Sequence, residues 1–295
     1  MTRPFLVFGR SGQVARELAE EAQALKVEVV FAGRERLDLS DPAGLDEGVA
    51  AVIAETAPSA VINAAALTSV DGAEAEQARA RVMNRDAPAA MARACARRGI
   101  PIVQLSTDYV FDGLKGSPYV ETDATGAVNA YGRSKLEGEQ AIAASGARHG
   151  ILRVSWVFGP HGSNFARRMI ELAATRGVLE VVDDLVGRPT SGQDVARAAL
   201  EVGRRLAAGE QAVEGVLHAC GPDDATWADL ACAVLLQSRK LGGPWAEVRP
   251  IPSSARPTPA KRPPDTRLDI GKARSAFGYD PLPWRDAVAT RITRV

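Results

Sequence analysis

Tyr131 and Lys135 stand four residues apart in the run Tyr-Gly-Arg-Ser-Lys. Ser106 and Thr107 precede them in the run Leu-Ser-Thr-Asp-Tyr. On a helix, that spacing puts the phenol and the ammonium on one face. A free phenol titrates near ~10, too high for acid–base work at neutral pH. The expectation is that Lys135 beneath the ring favours the ionised form and lowers that value, as a general acid requires. The hydroxyl of Ser106 or Thr107 supplies a third group that hydrogen-bonds a substrate oxygen. Such a set suits hydride transfer to a ketone, because the new alkoxide needs a proton. The same spacing also arises in helices that carry a solvated lysine beside a half-buried tyrosine, so the N-terminus has to decide between the two.

Residues 4–8 are an apolar run that reads as a buried strand. Gly9-Arg10-Ser11-Gly12-Gln13-Val14-Ala15 follows, and 16–25 reads as an amphipathic helix. Strand, glycine turn and helix N-terminus make an anion site, with backbone amides and the helix dipole facing a pyrophosphate. Gly-x-x-Gly-x-x-Ala is a variant of the dinucleotide fingerprint, and Ala15 still allows close helix–strand packing. The candidate contacts here are Gly9, Ser11, Gly12, Gln13 and Val14. The next strand, 27–31, ends in Ala-Gly-Arg34. An NAD site carries Asp or Glu there for the ribose 2′-hydroxyl. Arg34, with Arg36 close by, instead matches a 2′-phosphate, so NADPH is expected in preference to NADH. Asp38 and Leu39 begin a turn able to hold the adenine edge. A strand over 60–62 runs into Asn63 and then Ala64, Ala65 and Ala66, whose small side chains let the backbone approach the cofactor.

These residues need elements to position them. A helical stretch spans about 74–98, and a strand over 102–105 delivers Ser106, Thr107 and Asp108 to its carboxyl end, the edge where open α/β sheets bind ligands. The Tyr131 helix runs to about Ser145, and 151–154 is another strand. Strands alternating with helices imply an α/β protein with a Rossmann-type, doubly wound parallel sheet. The 295 residues exceed one minimal dinucleotide domain and allow a second, smaller α/β lobe. The expected division is a cofactor domain over 1–155 with a return segment about 191–219, and a substrate lobe over 156–190 and 220–295. Helices are expected near 165–175, 193–207 and 227–240, with strands near 179–182 and 215–218. The proline-dense stretch 250–264 is expected to be an extended surface segment. Trp156, just past a strand end, suits either core packing or the lining of a substrate site, where a flat ring matches a sugar or a base.

Composition excludes several functions. Lys+Arg and Asp+Glu are both 36, so there is no basic excess for nucleic acid or an anionic membrane. No apolar run approaches the ~18 residues of a membrane span, and the N-terminus lacks a signal-peptide shape. Three scattered cysteines and three scattered histidines show no metal spacing and no disulfide framework. Reduced thiols in a cytoplasm are expected.

With these residues in place, the chain resembles the extended short-chain dehydrogenase/reductases, and within them the dTDP-4-dehydrorhamnose reductases, over nearly its whole length. The resemblance rests on the glycine turn, on 63–66 with Thr68, Val70 and Asp71, on the Ser-Thr-Asp-Tyr-Val-Phe string at 106–111, and on the Tyr131 run. Further on it rests on 153–157, 164–166, Gly187-Arg188-Pro189-Thr190, and Arg262-Pro263 with Arg267-Leu268-Asp269. The resemblance implies NADPH-dependent reduction of the C4 ketone of dTDP-4-dehydro-L-rhamnose to dTDP-L-rhamnose. It gives Tyr131 as proton donor, Lys135 as the holder of the nicotinamide ribose and Thr107 as partner of the keto oxygen. Thr68, Val70, Asp108, Tyr109 and Trp156 would line the sugar site. Some relatives are magnesium-linked dimers whose glutamates hold the ion. Glu17 matches one such position, Gln193 stands where another glutamate would be, and the tail 291–295 lacks the third, which leaves both metal-free monomer and metal-linked dimer open. Two alternatives stand beside this reading: another nucleotide-sugar ketoreductase or epimerase, and a non-catalytic nucleotide-binding regulatory subunit.

Overall fold

The computed structural model describes residues 3–292. In chain order the strands and helices begin with β1 Phe5–Phe8, α1 Gln13–Leu25, β2 Val29–Ala32, α2 Leu45–Thr56 and β3 Ala60–Asn63. Next come α3 Val70–Ala75, α4 Gln77–Arg81, a π-helical turn Val82–Asp86, α5 Ala87–Ala96 and β4 Ile102–Thr107. A 3-10 turn Asp108–Val110, α6 Ala130–Ala143, β5 His149–Val154, β6 Val157–Phe158, α7 Phe165–Ala173 and β7 Val178–Val182 follow. The rest is β8 Val186–Gly187, β9 Thr190–Ser191, α8 Gly192–Ala207, β10 Gly215–His218, β11 Ala225–Thr226, α9 Trp227–Lys240, β12 Glu247–Ile251, α10 Gly271–Phe277 and α11 Trp284–Arg291.

Six strands form one parallel sheet in the order β10-β5-β4-β3-β1-β2. The sheet grows in opposite directions from β1, which places a topological switch point between β1 and β3. Its inner strands β1, β3 and β4 are buried on both faces and so read as near-continuous apolar runs. Within β1, Leu6 and Phe8 belong to a core with α2 and α5, whereas Phe5 and Val7 belong to a second core with α8. This alternation is the period-two pleat of a strand covered on both sides. Register pairs Phe8 with Asn63 and Thr107 with Val154, so Gly9, Ala64, Asp108 and Ser155 all emerge at the same carboxyl edge.

A third core gathers Phe158, Met169, Leu179, Leu230, Val234 and Trp284 from β6, α7, β7, α9 and α11. Leu268, Ile270, Ala273 and Phe277, around α10, pack instead into the second core against the main sheet. The proline-dense stretch opens with a strand, because β12 pairs in parallel with β7 through Pro250. Proline is tolerated there because a two-stranded sheet leaves each strand a free edge. The long helix expected over 74–98 is broken into α3, α4, the π-helical turn and α5. Among the described residues, no helix is long and apolar enough to cross a membrane. Cys95 and Cys220 are buried free thiols and Cys232 is an exposed one.

Candidate active site

Helix α6 begins at Asn129, whose side chain accepts a hydrogen bond from the Gly132 amide at 2.8 Å. This cap satisfies one of the free N–H groups of the first turn. A Cβ at Gly132 would lie 2.1 Å from the Tyr109 carbonyl oxygen, so only glycine lets the helix rest on the turn Asp108–Val110. Tyr131 is thereby held edge-on to Tyr109, with ring centres 6.1 Å apart. Tyr131 and Leu67 both pack against the small cluster Ala73, Ala80 and Ala130. Both backbone groups of Leu67 bond to the Asn84 side chain, at 2.9 and 3.0 Å, and Asn84 in turn donates to the Ser134 hydroxyl. Asn84 lies in the π-helical turn, a distortion that recurs at functional sites.

Ala66 and Thr68 belong to the walls of two different cavities. One, of about 650 Å³, is lined by Gly9, Ser11, Gly12, Arg34, Asp38, Leu39 and Ala64–Ala66. The other, of about 850 Å³, is lined by Thr68, Val70 and Tyr109 together with α7, Trp227 and the stretch 253–262. Gly9 has φ +106°, and a Cβ there would lie 3.2 Å from the backbone of Ala64 and Ala65. Backbone cradle and glycine turn therefore meet as a pyrophosphate site requires. Gln13 and Val14 stand differently: the Gln13 amide donates to the Val157 carbonyl and accepts from Asn164, and Val14 packs against the core. At the cavity rim the Arg34 side chain is 76% exposed, 4.0 Å from Asp38. Arg36 turns away to Glu55 and Thr56, so it does not join Arg34. Arg10 lines the cavity and pairs with Glu35 at 3.0 Å.

Thr107 and Ser106 point to different places. The Ser106 hydroxyl donates to Glu139, which forms a buried ion pair with Arg153 at 2.7 Å. Thr107 is the hydroxyl beside Tyr131 and offsets part of the burial effect on that phenol. Its own proton goes to Asp108 Oδ1 at 3.0 Å, while Ser155 donates to Asp108 Oδ2 at 2.8 Å. Asp108 is 3% exposed with both oxygens engaged, so it orients Thr107 rather than facing either cavity. Burial raises the Asp108 carboxyl to about 6, against the pull of its hydroxyl partners.

Two expectations are corrected. Lys135 does not lower the Tyr131 phenol. Burial pushes Tyr131 up to about 12, and the neighbouring influences are Thr107 and Asp108. Lys135 itself is buried and lowered to about 8, and its ammonium donates to the Leu105 carbonyl at 2.6 Å. Nor does Trp156 line the larger cavity: its ring stacks on Trp227, 3.6 Å and 8° apart, and Gly187 packs so closely that a Cβ there would meet the indole at 2.4 Å. Trp156 holds this place at φ +45°, a strained conformation for a bulky residue.

Sequence reasoning missed Phe165, Trp227, Arg168, Arg256 and Arg262 on the larger cavity. Arg262 pairs with Asp71 at 2.8 Å, and the Lys261 carbonyl accepts from Asn129, so the proline-dense stretch is tied to the start of α6. The signal was present in the Arg262-Pro263 string, but nothing in the sequence showed that it folds back over α3.

A doubly wound parallel sheet, a glycine turn at its switch point and a Tyr-x-x-x-Lys helix beside both define a Rossmann-type protein of the short-chain dehydrogenase/reductase class. The RmlD substrate binding domain family model matches residues 3–295. A dTDP-4-dehydrorhamnose reductase of Sinorhizobium fredii is 40% identical over 95% of this chain and 94% of its own. One from Burkholderia thailandensis is 41% identical, covering 96% of both chains. The structure of a dTDP-4-dehydrorhamnose reductase from Bacillus anthracis in complex with NADP superposes with a TM-score of 0.88 at 27% identity, over 99% of both chains. The chain belongs to the dTDP-4-dehydrorhamnose reductase family.

Proposed function

We propose that this protein reduces the C4 ketone of dTDP-4-dehydro-L-rhamnose to dTDP-L-rhamnose with NADPH. The observation that carries the reading is that Ala66 and Thr68 wall two neighbouring cavities, one built around a glycine turn and the other lined by aromatic and cationic side chains, with Tyr131 edge-on to Tyr109 on the wall of the second. The reading takes the first cavity as the cofactor site, with Gly9, Ser11, Gly12, Asp38, Leu39 and Ala64–Ala66 as walls and Arg34 against the 2′-phosphate. Bound there, the reduced nicotinamide would supply the hydride. The second cavity takes the sugar near Thr68, Val70 and Tyr109, and the diphosphate near Arg168, Arg256 and Arg262, whose guanidinium groups match phosphate oxygens. The lobe division follows the same reading: 156–190 and 220–295 handle substrate, while 1–155 with 191–219 handle cofactor.

Within this reading Tyr131 gives its proton to the carbonyl oxygen as the C–O bond becomes an alkoxide, and water later restores it. Thr107 directs its hydroxyl at the same oxygen, where negative charge develops. Lys135 holds the ribose next to Tyr131. The test follows NADPH absorbance with purified protein and dTDP-4-dehydro-L-rhamnose generated in place. Oxidation that yields dTDP-L-rhamnose supports the reading. NADPH binding without oxidation moves the assignment to another nucleotide sugar or to a regulatory role.

A further inference from the structure

Magnesium-linked relatives hold their ion on glutamates, and this chain keeps only Glu17 of that set. The surroundings of Glu17 do not fit an ion. Glu17 is 1% exposed and projects from α1 into a slot beside Gly159 and Gly192, where a Cβ would lie 2.8 Å from Oε1 and 3.0 Å from Cγ respectively. Its Oε2 accepts from Nη2 of Arg291, the last residue of α11, at 2.5 Å, and the same guanidinium lies 3.5 Å from Glu20. Glu20 meets His161 at 2.6 Å, and Glu21 meets Arg197 at 2.7 Å as well as the Gln193 amide. Every carboxylate on this face of α1 therefore already faces a basic side chain of its own chain. The ligand atoms of Glu17, Glu20 and His161 lie within 4.8 Å of one another, close enough for a cation. A guanidinium has no lone pair to coordinate with and repels a divalent ion beside it. Glu17 Oε1 and Arg291 Nε are buried with no hydrogen-bond partner among the described residues, so the pair is joined through Nη2 and Oε2 alone.

We infer that Arg291 takes the place of the divalent cation, neutralising Glu17 and Glu20 and clasping α11 to the helix of the glycine turn within one chain. The fold is then complete without metal. The full-length protein dialysed against EDTA is expected to keep its melting temperature and its mass by light scattering, and to carry substoichiometric magnesium by elemental analysis. A stoichiometric ion, or a dimer or melting point lost to EDTA, overturns the inference. Arg291→Gln is expected to lower the melting temperature by about 5–10 °C, since it leaves a buried carboxylate unpaired. Magnesium chloride, unlike sodium chloride of equal ionic strength, is expected to restore part of that loss, because the three ligands then stand open. Unchanged stability, or a loss that magnesium does not reverse, marks an ordinary ion pair and overturns the replacement. Should Arg291→Gln fail to fold, the double variant Glu17→Gln with Arg291→Met buries no lone charge and is expected to fold and to ignore magnesium. A magnesium response there also overturns it.

Discussion

Burial keeps the Tyr131 proton in place through the neutral range, which is the state a proton donor needs. A forming alkoxide is a stronger base than a phenolate, so transfer still runs downhill. Tyr131→Phe is expected to lower kcat by about 10²–10⁴-fold with NADPH binding intact, and unimpaired turnover in stopped-flow assays would remove Tyr131 from its role. Thr107 has one proton, and ionised Asp108 claims it. Below about pH 6 Asp108 carries its own proton and releases that of Thr107 toward substrate. Wild-type kcat is therefore expected to rise as pH falls through that value. Asp108→Asn, neutral at every pH, should erase the inflection and hold kcat near the wild-type acid-limb value at constant NADPH affinity, and a pH–rate profile of both proteins checks this. Arg34→Ala is expected to raise the KM for NADPH by about 10-fold and to leave that for NADH nearly unchanged, as loss of a charge-assisted contact requires. At this scale the sequence was legible for residue type and spacing, as with Tyr131, Lys135 and Arg34. It was silent on where side chains point: the Trp156 ring stacks on Trp227, 71 positions on, and the proton of Thr107 goes to buried Asp108.

Helix α6 reaches the site because Gly132 removes the one side-chain atom that would collide with the Tyr109 carbonyl. Glycine inside a helix costs about 1 kcal/mol in propensity, so its presence there reflects packing. Gly132→Ala is expected to destabilise the protein by about 1–3 kcal/mol through overpacking, and to lower kcat by displacing Tyr131. Thermal melts with turnover assays separate the two effects, and a fully stable, fully active variant would show that the helix does not depend on this approach. Strand and helix periodicity placed β1, β4, α6, α9 and β10 to within a few residues. It failed where local preference was overruled: β12 forms through Pro250 because β7 lies beside it, and the helix expected over 74–98 is interrupted at Glu76 and widens into a π-helical turn where Asn84 holds Leu67.

Across the whole molecule, two buried groups make stability depend on pH in opposite senses. Burial and Arg153 push His218 down to about 3, so in acid only the unfolded chain takes up its proton. That contribution is lost as pH falls from about 6.5 toward 3. Asp108 holds a proton in the fold below about 6 but in the unfolded chain only below about 4, so it adds stability as pH falls between those values. The His218 displacement is the larger, and a net loss on the order of 0.5–1 kcal/mol is expected between about pH 6.5 and 4. Melting temperatures across that range check it. His218→Gln should flatten or invert the slope whatever its own offset, and an unchanged slope would rule out His218 as the cause. By itself the sequence determined the parallel sheet, the glycine turn at its first strand and the Tyr-x-x-x-Lys helix, because each is encoded within about ten consecutive residues by periodicity, turn chemistry or spacing. Only the tertiary structure decided that Tyr131 meets Tyr109 at the wall of the larger cavity, that Asp108 serves Thr107, and that Arg291 meets Glu17 from 274 positions away. Those contacts depend on which surfaces the sheet brings together at its carboxyl edge and on what burial does to a charge, and no local pattern in a chain carries either.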